Sequence, residues 1–563
     1  MKYLLTLLLI FANALKSEIF NSNSIVQPEV GQDGMVVSQH YLATDVGYSI
    51  LKSGGNAYDA SIAVAFTLAV VLPRAGNIGG GGFMVMYDKE SNKTFSIDYR
   101  EKAPGLATKD MFLNDDGSVD TKRVTQGILS IGVPGTVYGM WEVHQKFGSL
   151  PWEDLIKPAI NLAEKGFKVS PFMADILNDK YEKLSNFKNF KRIFYSSYPV
   201  KIHQELKQPN LARTLKKISQ NGAKGFYEGE VADLIAQYMN DNKGLISSSD
   251  LKNYRPVWRK PITGDYHEYK IVTMAPPSSG GIHIIQMLNI LEKYNLSELG
   301  HNSPKYSALL CEVMKYAYAD RSKYLGDPDF FKVPVKTLIS KEYAEEINKK
   351  IQIGKITPAN EILPGEAIQK ESMDTTHFSI ADKFGNLVGN TYTLNSTYGS
   401  GIIIDGTGIL MNNEMDDFVS APGIPNQFGL LGGEANKIEP YKRPLSSMTP
   451  TLVFKNNQPI LATGSPGGSF IITAVLQFLL NTLNFKMEIS DATVVPRLHH
   501  QWKPDVLMLE HGFDVNHAET IKSLGQPIYF TDPRTSLESI ELKNNFFYGF
   551  GDTRRPDSKA KGL

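Results

Sequence analysis

The stretch Asp374-Thr375-Thr376-His377-Phe378-Ser379-Ile380-Ala381-Asp382 decides how this chain folds. Polar and apolar residues alternate from His377 to Asp382, Lys383-Phe384-Gly385-Asn386 carries turn chemistry, and Leu387 to Asn395 alternates again. Period-2 patterning on both sides of a glycine-containing turn predicts strand, tight turn, strand. At the head of the first strand stands a hydroxyl, Thr375. A Thr hydroxyl is a poor nucleophile unless a base lies beside it, and the free α-amine of an N-terminal Thr can be that base. Thr pairs are also ordinary strand residues, and on spacing alone that reading stands beside the catalytic one. His377 is not read as the base: two residues along a strand, it would reach Thr375's face only by accident of twist.

Outward from the hairpin the chain changes character in both directions. Residues from about Thr108 to Lys370 are rich in Lys, Glu and Asn, with amphipathic patterns at Trp152 to Gly166 and Tyr306 to Leu325, so this half reads as largely helical. Further back, Met35 to Ser38 is strand-like and Asp59 to Val71 is an apolar, helix-like run. Beyond the hairpin, Ile402 to Ile404, Gly408 to Asn412 and Thr451 to Phe454 continue the strand pattern, and Phe470 to Leu483 reads as an apolar helix too short for a membrane. Strands with helices on both faces give a layered α/β body. No Pro/Ser linker, charge block or tandem repeat divides it. Length alone, 563 residues, suggests three or four domains, but the missing linkers argue for one interlocked body.

Composition removes whole classes of function. With 59 Lys+Arg against 59 Asp+Glu, the chain lacks the excess positive charge of a nucleic-acid binder. Its single cysteine, Cys311, excludes an intramolecular disulfide and any Cys-based metal cluster, and reads as a buried structural thiol. His499-His500 looks like a metal pair, yet adjacent residues on a strand point apart. At the N-terminus, Lys2, an apolar run from Leu4 to Ala12 and Ala12-Asn13-Ala14 have the layout of a cleaved export signal covering residues 1–14.

Four polar constellations remain. Gly464-Ser465-Pro466-Gly467-Gly468-Ser469 precedes the apolar helix, where backbone N–H groups and a positive dipole end suit an anion or a developing oxyanion. A plain turn with a Ser cap fits the same residues. Asn412-Asn413-Glu414-Met415-Asp416-Asp417 sets three acids among apolar neighbours Leu410, Met411 and Phe418, which could hold a cation or grip an ammonium group, with no His nearby for a transition metal; a solvated acidic turn fits the same residues. Asp98-Tyr99-Arg100-Glu101 and Arg443-Pro444-Leu445-Ser446-Ser447 could supply an arginine and hydroxyls for a carboxylate. Gly79-Gly80-Gly81-Gly82 lacks phosphate-loop spacing and is read as serving close packing.

Taken together, with Pro73-Arg74-Ala75-Gly76-Asn77-Ile78, Pro276-Pro277-Ser278-Ser279-Gly280-Gly281, Tyr318-Ala319-Asp320-Arg321 and Thr391-Tyr392-Thr393-Leu394-Asn395, these motifs resemble γ-glutamyltranspeptidases, a family of N-terminal-nucleophile hydrolases, from about Val36 to Arg554. The resemblance implies a four-layer αββα sandwich built jointly by two subunits, residues 15–374 and 375–563, after self-cleavage between Asp374 and Thr375. It implies that Thr375 forms an acyl-enzyme with glutathione, glutamine or another γ-glutamyl donor, that Thr393 positions it, and that Gly467 and Gly468 form the oxyanion hole. It assigns Arg100, Ser446 and Ser447 to the donor's carboxylate, and Asn395, Glu414 and Asp417 to its ammonium. Water or an amino acid or short peptide would accept the acyl group, and no cofactor, metal or nucleic acid is implied. Location would be periplasmic or secreted.

Three local features bear on that implication. Pro422 to Gly433 resembles the family's active-site lid, with Phe428 where bacterial members usually carry Tyr, which removes a latch hydrogen bond worth about 1 kcal/mol. Position 414 is Glu where relatives carry Gln or Glu. Arg554 matches an arginine that in bacterial relatives comes close to the substrate-binding acid. The lid and Asp417 favour a γ-glutamyl enzyme over the related cephalosporin acylases. Two rivals are an amidase for a bulkier acyl group and an uncleaved binding protein that uses the same grip without turnover.

Overall fold

The computed structural model describes residues 24–362, 375–421, 424, 426, 427 and 430–563. The expected export signal lies outside the described residues. Two seven-stranded sheets form the centre. In one the order is Lys559–Gly562, Gly34–Ser38, Thr375–Asp382, Leu387–Thr393, Gly81–Asp88, Lys93–Asp98, Val257–Arg259. In the other it is Glu29–Gly31, Phe546–Gly551, Glu538–Lys543, Gln458–Thr463, Thr451–Lys455, Tyr269–Thr273, Ile262–Tyr266. Segments before and after Thr375 alternate as neighbours in both sheets, so the strand ladders stitch the two halves of the chain together.

Period-2 alternation sorts the strand residues into layers. Val36, Met84, Met86, Phe378, Ile380 and Val388 face outward onto the helix Ala57–Val71, every residue of which is buried. Met35, Val37, Phe83, Val85, Ala381 and Leu387 face the second sheet and meet Leu452, Ala462 and Ile540. The far side of that sheet is covered by Gly280–Leu291 and Phe470–Leu483. The result is helix, sheet, sheet, helix.

The hairpin at Thr375 is fixed at both ends. Asp382, which closes the first strand, accepts the Ala57 N–H at 2.7 Å and so caps the outer helix, while its other oxygen accepts from Phe384 and Asn386 across the turn. The second strand needs glycine beside it: a methyl on Gly80 would overlap the Thr393 carbonyl, and one on Gly76 would overlap the Tyr392 ring. The glycine run is therefore a close-packing device, as read from the sequence.

Several expectations change. Ile402 to Ile404 and Gly408 to Asn412 are not strands; Ile403 and Leu410 form an isolated bridge, and Met411 bridges Gly79. The helical half contributes three strands to the two sheets, Val257–Arg259 at one edge, Ile262–Tyr266 at another and Tyr269–Thr273 beside it, and a separate pair, Phe167–Lys168 with Glu205–Leu206. Among the described residues no helix is long and apolar enough to cross a membrane. Cys311 is buried, and burial pushes its thiol up.

Candidate active site

Thr375 begins its strand directly opposite Thr393, and its hydroxyl donates to Thr393 Oγ1 at 3.3 Å. Thr393 Oγ1 also accepts the Asn395 backbone N–H at 2.8 Å. That bond is possible because Asn395 turns the chain at φ 76°, a left-handed conformation that Asn tolerates better than most residues. Thr393 is thereby oriented by its own strand end before it meets Thr375.

His377 lies on Thr375's face, because residues two apart on a strand always do. The expectation that only twist would bring it there was wrong, and the polar face of this strand packs against the second sheet. Even so, the imidazole is committed elsewhere: Nδ1 meets Thr391 Oγ1 at 2.8 Å, Nε2 meets Ser379 Oγ at 3.1 Å, and burial lowers its pKa to about 3. It braces the hairpin as a neutral group.

Thr375 and Thr393 open into a cavity of about 20 Å³ with two chemically distinct poles. One is acidic, formed by Asn395, Glu414 and Asp417 around Arg100. Glu414 and Asp417 sit on a single 3₁₀ turn, Glu414–Asp417, held by Asn412 and Asn413; Asn412 Oδ1 accepts the Glu414 N–H at 3.0 Å. Arg100 follows the strand Lys93–Asp98 and is fully buried, ion-paired to Glu414, to Asp417 at 2.5 Å and to Glu101 at 3.5 Å. Its Nε and Nη2 also reach the carbonyls of Pro444 and Leu445.

Three carboxylates around one guanidinium leave an acid excess. Burial raises Glu414 well above the ordinary carboxylate range despite the pull of Arg100, and raises Asp417 likewise. Glu101 rises to about 7 for the same reason, and Asp416, buried next to Asp417, to about 8. These acids are electrostatically hungry for a further cation.

The other pole is formed by Ser446, Ser447 and Arg321. The serine loop is pinned to the segment before helix Gly280–Leu291: the Ser446 N–H donates to the Pro277 carbonyl and the Ser446 carbonyl accepts from the Ser279 N–H, each at 2.8 Å. Gly468 lines the cavity just ahead of helix Phe470–Leu483, with Ile471 and Met448 as apolar wall. Gly467 stands one residue behind it, outside the lining, at φ 130° against Thr535. The turn is tied down by the Tyr318 hydroxyl, which donates to the Ser469 carbonyl at 2.5 Å, and by Ser469 Oγ, which donates to Gln501 at 2.7 Å.

The cavity thus gathers Thr375, Thr393, Asn395, Glu414, Asp417, Arg100, Ser446, Ser447 and Gly468 from segments spread over more than half the chain. Asp374 and Phe428 lie outside the described residues. Of the lid segment, Leu430 is in the wall, and Asn426 donates to Asp417 Oδ1 at 3.0 Å. Arg554 does not join them: Glu510 holds it at 2.6 Å and Asp552 at 3.2 Å, and it also donates to the carbonyls of Thr493, Val494 and Val495. Its carboxylate partners are Glu510 and Asp552, not the acids of the cavity, which corrects the expectation, drawn from bacterial relatives, that it comes close to the substrate-binding acid. Arg443 is likewise turned away, toward Asp98 at 3.3 Å. His499 and His500 diverge, the first to Thr473 and Gln501, the second to Asp505.

Arg321 and Glu101 stand in quoted motifs, Tyr318-Ala319-Asp320-Arg321 and Asp98-Tyr99-Arg100-Glu101, but were given no role from the sequence. A basic residue whose helical position falls on the buried stripe is the signal that could have marked Arg321 as a participant.

Known proteins resemble this chain over most of its length. The gamma-glutamyltranspeptidase family profile matches residues 43–562. A glutathione hydrolase proenzyme of Escherichia coli (strain K12) is 47% identical over 541 residues, covering 96% of this chain and 93% of that protein. Among solved structures, a cephalosporin acylase from Bacillus halodurans superposes with a TM-score of 0.86 at 26% identity, covering 97% of this chain and 98% of its own. The Helicobacter pylori gamma-glutamyltranspeptidase does so with a TM-score of 0.58 at 45% identity, covering 61% of this chain and 97% of its own. The chain belongs to the gamma-glutamyltranspeptidase family.

Proposed function

We propose that this chain is the precursor of an exported enzyme that cleaves γ-glutamyl amides such as glutathione and glutamine, and passes the γ-glutamyl group to water or to an amino acid or short peptide. Self-cleavage between Asp374 and Thr375 divides it into residues 15–374 and 375–563, which the shared sheets hold together as a heterodimer. Thr375 Oγ attacks the preceding carbonyl, and hydrolysis of the resulting ester frees the Thr375 α-amine.

In turnover that amine takes the Thr375 hydroxyl proton while Oγ attacks the γ-carbonyl of the donor. Thr393 holds the hydroxyl in line, and backbone N–H groups at Gly467 and Gly468, ahead of the helix dipole, stabilise the oxyanion. Collapse expels the donor's amine, which leaves with the proton, and an ester to Thr375 remains. Water or an acceptor amine then repeats the sequence in reverse. The donor's ammonium enters the acid pole at Asn395, Glu414 and Asp417, and its α-carboxylate faces Arg100, Ser446 and Ser447. No step calls for a metal or cofactor.

The observation that carries this reading is the pairing of a strand-initial Thr375 hydroxyl with a pocket bearing separate acidic and basic poles. An acylase for donors without an α-amino group is the second reading, favoured by likeness to the Bacillus halodurans enzyme. It leaves the acid excess around Arg100 without a purpose. The test is denaturing electrophoresis of wild type and Thr375→Ala, with glutathione and glutamine assays of each. Two bands with a mass ratio of about two to one and γ-glutamyl turnover are expected for wild type. Thr375→Ala should remain one inactive band, and a wild-type chain that stays whole on incubation would defeat the reading.

A further inference from the structure

The turn Gly467-Gly468-Ser469 opens helix Phe470–Leu483, and its backbone is wired in a definite order. The Gly467 carbonyl accepts the Phe470 N–H at 3.0 Å, and the Gly468 carbonyl accepts the Ile471 N–H at 3.3 Å. A trans peptide holds its C=O and N–H on opposite sides of one plane. With its carbonyl drawn into the helix, the Gly467–Gly468 peptide turns the Gly468 N–H away from it, and Gly468 lines the cavity. The Phe470 N–H that draws that carbonyl belongs to the Ser469–Phe470 peptide, whose own carbonyl accepts the Tyr318 hydroxyl at 2.5 Å. One line of hydrogen bonds thus runs from Tyr318 through two peptide groups to the Gly468 N–H.

Tyr318 is held firmly at the start of that line. It is buried on helix Pro304–Tyr324, its ring stacked on His283 at 6.1 Å and set edge-on to His499 at 5.7 Å between centroids. We infer that Tyr318 is a positioning residue for acyl transfer, whose hydroxyl orients and polarises the peptide groups that present the Gly468 N–H to the oxyanion. The inference rests on the reading above, in which that N–H stabilises the oxyanion. Hydrogen bonds in series strengthen one another in a low-dielectric interior. Donation to the Ser469 carbonyl makes the Phe470 N–H a stronger donor, and its bond to the Gly467 carbonyl does the same for the Gly468 N–H. Negative charge develops on the donor's γ-carbonyl oxygen only in the tetrahedral state, so the gain falls on the transition state rather than on binding. Tyr318 precedes the proposed cut and the turn follows it, so one subunit tunes the oxyanion donor of the other.

Tyr318→Phe keeps the ring and removes the hydroxyl. Wild type and variant are compared in kcat and KM on a γ-glutamyl anilide and in their affinity for two inhibitors. One is a boronic acid analogue of the γ-glutamyl group, which becomes tetrahedral when Thr375 Oγ bonds to boron and its proton passes to the α-amine. The other is glutamate, which binds without reacting. Appearance of the two subunits on a gel reports maturation. Tyr318→Phe should lose about 10-fold in kcat, short of the roughly 100- to 1,000-fold for outright loss of an oxyanion donor. Boronate affinity should fall by the same factor, while KM and glutamate affinity stay near wild type. Equal losses for boronate and glutamate would make Tyr318 a packing residue and overturn the inference, as would an unchanged kcat. Replacement of Tyr318 by 3-fluorotyrosine keeps the shape and makes the hydroxyl a stronger donor. It should raise kcat and boronate affinity together by up to about 2-fold, with glutamate affinity unmoved. A fluorinated enzyme with wild-type kcat would overturn the inference even if Tyr318→Phe fails to mature. Wild type that neither turns over the anilide nor binds the boronate would instead overturn the γ-glutamyl reading itself.

Discussion

Two clusters of buried charge meet along one short piece of chain, Asp98 to Glu101, and they are balanced differently. Behind the cavity, Asp98 receives Arg259 at 2.7 Å and Arg443 at 3.3 Å, while Arg259 also bonds Asp329 at 2.8 Å and Asp327 accepts the Arg443 backbone N–H at 2.8 Å. Two guanidiniums and three aspartates, one of them half-exposed, close on each other. In front, Arg100 pairs with Glu101, Glu414 and Asp417, and Arg321 across the cavity attracts Asp417 as well. The rear cluster is finished as it stands and ties strand Lys93–Asp98 to the serine loop. The front cluster has negative charge left over, and that surplus is what an incoming ammonium group can use.

The sharpest way to break this comparison is to remove one acid from each side. Asp98→Ala strands Arg259 and Arg443 in the interior, and losing one partner of a buried pair costs about 3 to 5 kcal/mol. Thermal unfolding should show a markedly lower Tm, with a smaller loss in kcat/KM per folded molecule, since Asp98 also accepts the Arg100 N–H at 3.0 Å. A stable Asp98→Ala with impaired donor binding would reverse the roles given to the two clusters.

Asp417→Ala should do the opposite. The acid pole loses one acceptor, but Arg100 keeps Glu414 and Glu101, so the fold tolerates the change. Turnover of γ-glutamyl donors is expected to drop by about 30- to 1,000-fold, the cost of truncating a buried charge pair, with cleavage at Thr375 far less affected. Retained glutaminase activity would remove Asp417 from the site.

The contrast between the clusters also explains what could be read in the sequence. The hairpin at Thr375 was legible because period 2 survives even where both faces are buried: the polar face of His377 and Ser379 packs on the second sheet, where Ser379 donates to the Glu538 carbonyl. Strand Gly81–Asp88 was not, since a strand buried on both sides reads as a plain apolar run and loses its alternation. Resemblance located the residues of the cavity. The division of charge between Arg100, Arg321 and Arg443 could not be read at all, because which arginine meets which acid is decided by the packing of loops more than a hundred residues apart.

The acid surplus has a pH signature. Glu414 and Asp417 are raised by burial, so they take up protons at a higher pH than ordinary carboxylates, and protonation removes the acceptors that hold the donor's ammonium. The kcat/KM for a γ-glutamyl donor should therefore decline on the acid side with a midpoint above the usual carboxylate value of about 4. A profile flat down to that value would show the front acids to be as fully compensated as the rear ones.

Glu101→Gln gives the smallest change and the finest test. Glu101 touches the cavity only through its neighbours: it pairs weakly with Arg100, and its negative charge helps raise Glu414. Its own carboxyl rises from an ordinary 4.5 to about 7 because it is buried, a rise that the Arg100 guanidinium opposes. The folded protein therefore binds a proton at Glu101 more tightly than the unfolded chain, so its contribution to stability declines as pH climbs from about 4.5 to about 7. Glutamine keeps the shape and removes that titration. The variant should match wild type in Tm below pH 4.5, exceed it modestly at pH 8, and shift the acid limb of kcat/KM downward as Glu414 is relieved of a like charge. A Tm difference independent of pH would mean that Glu101 acts through packing, and that the surplus charge resides in Glu414 and Asp417 alone.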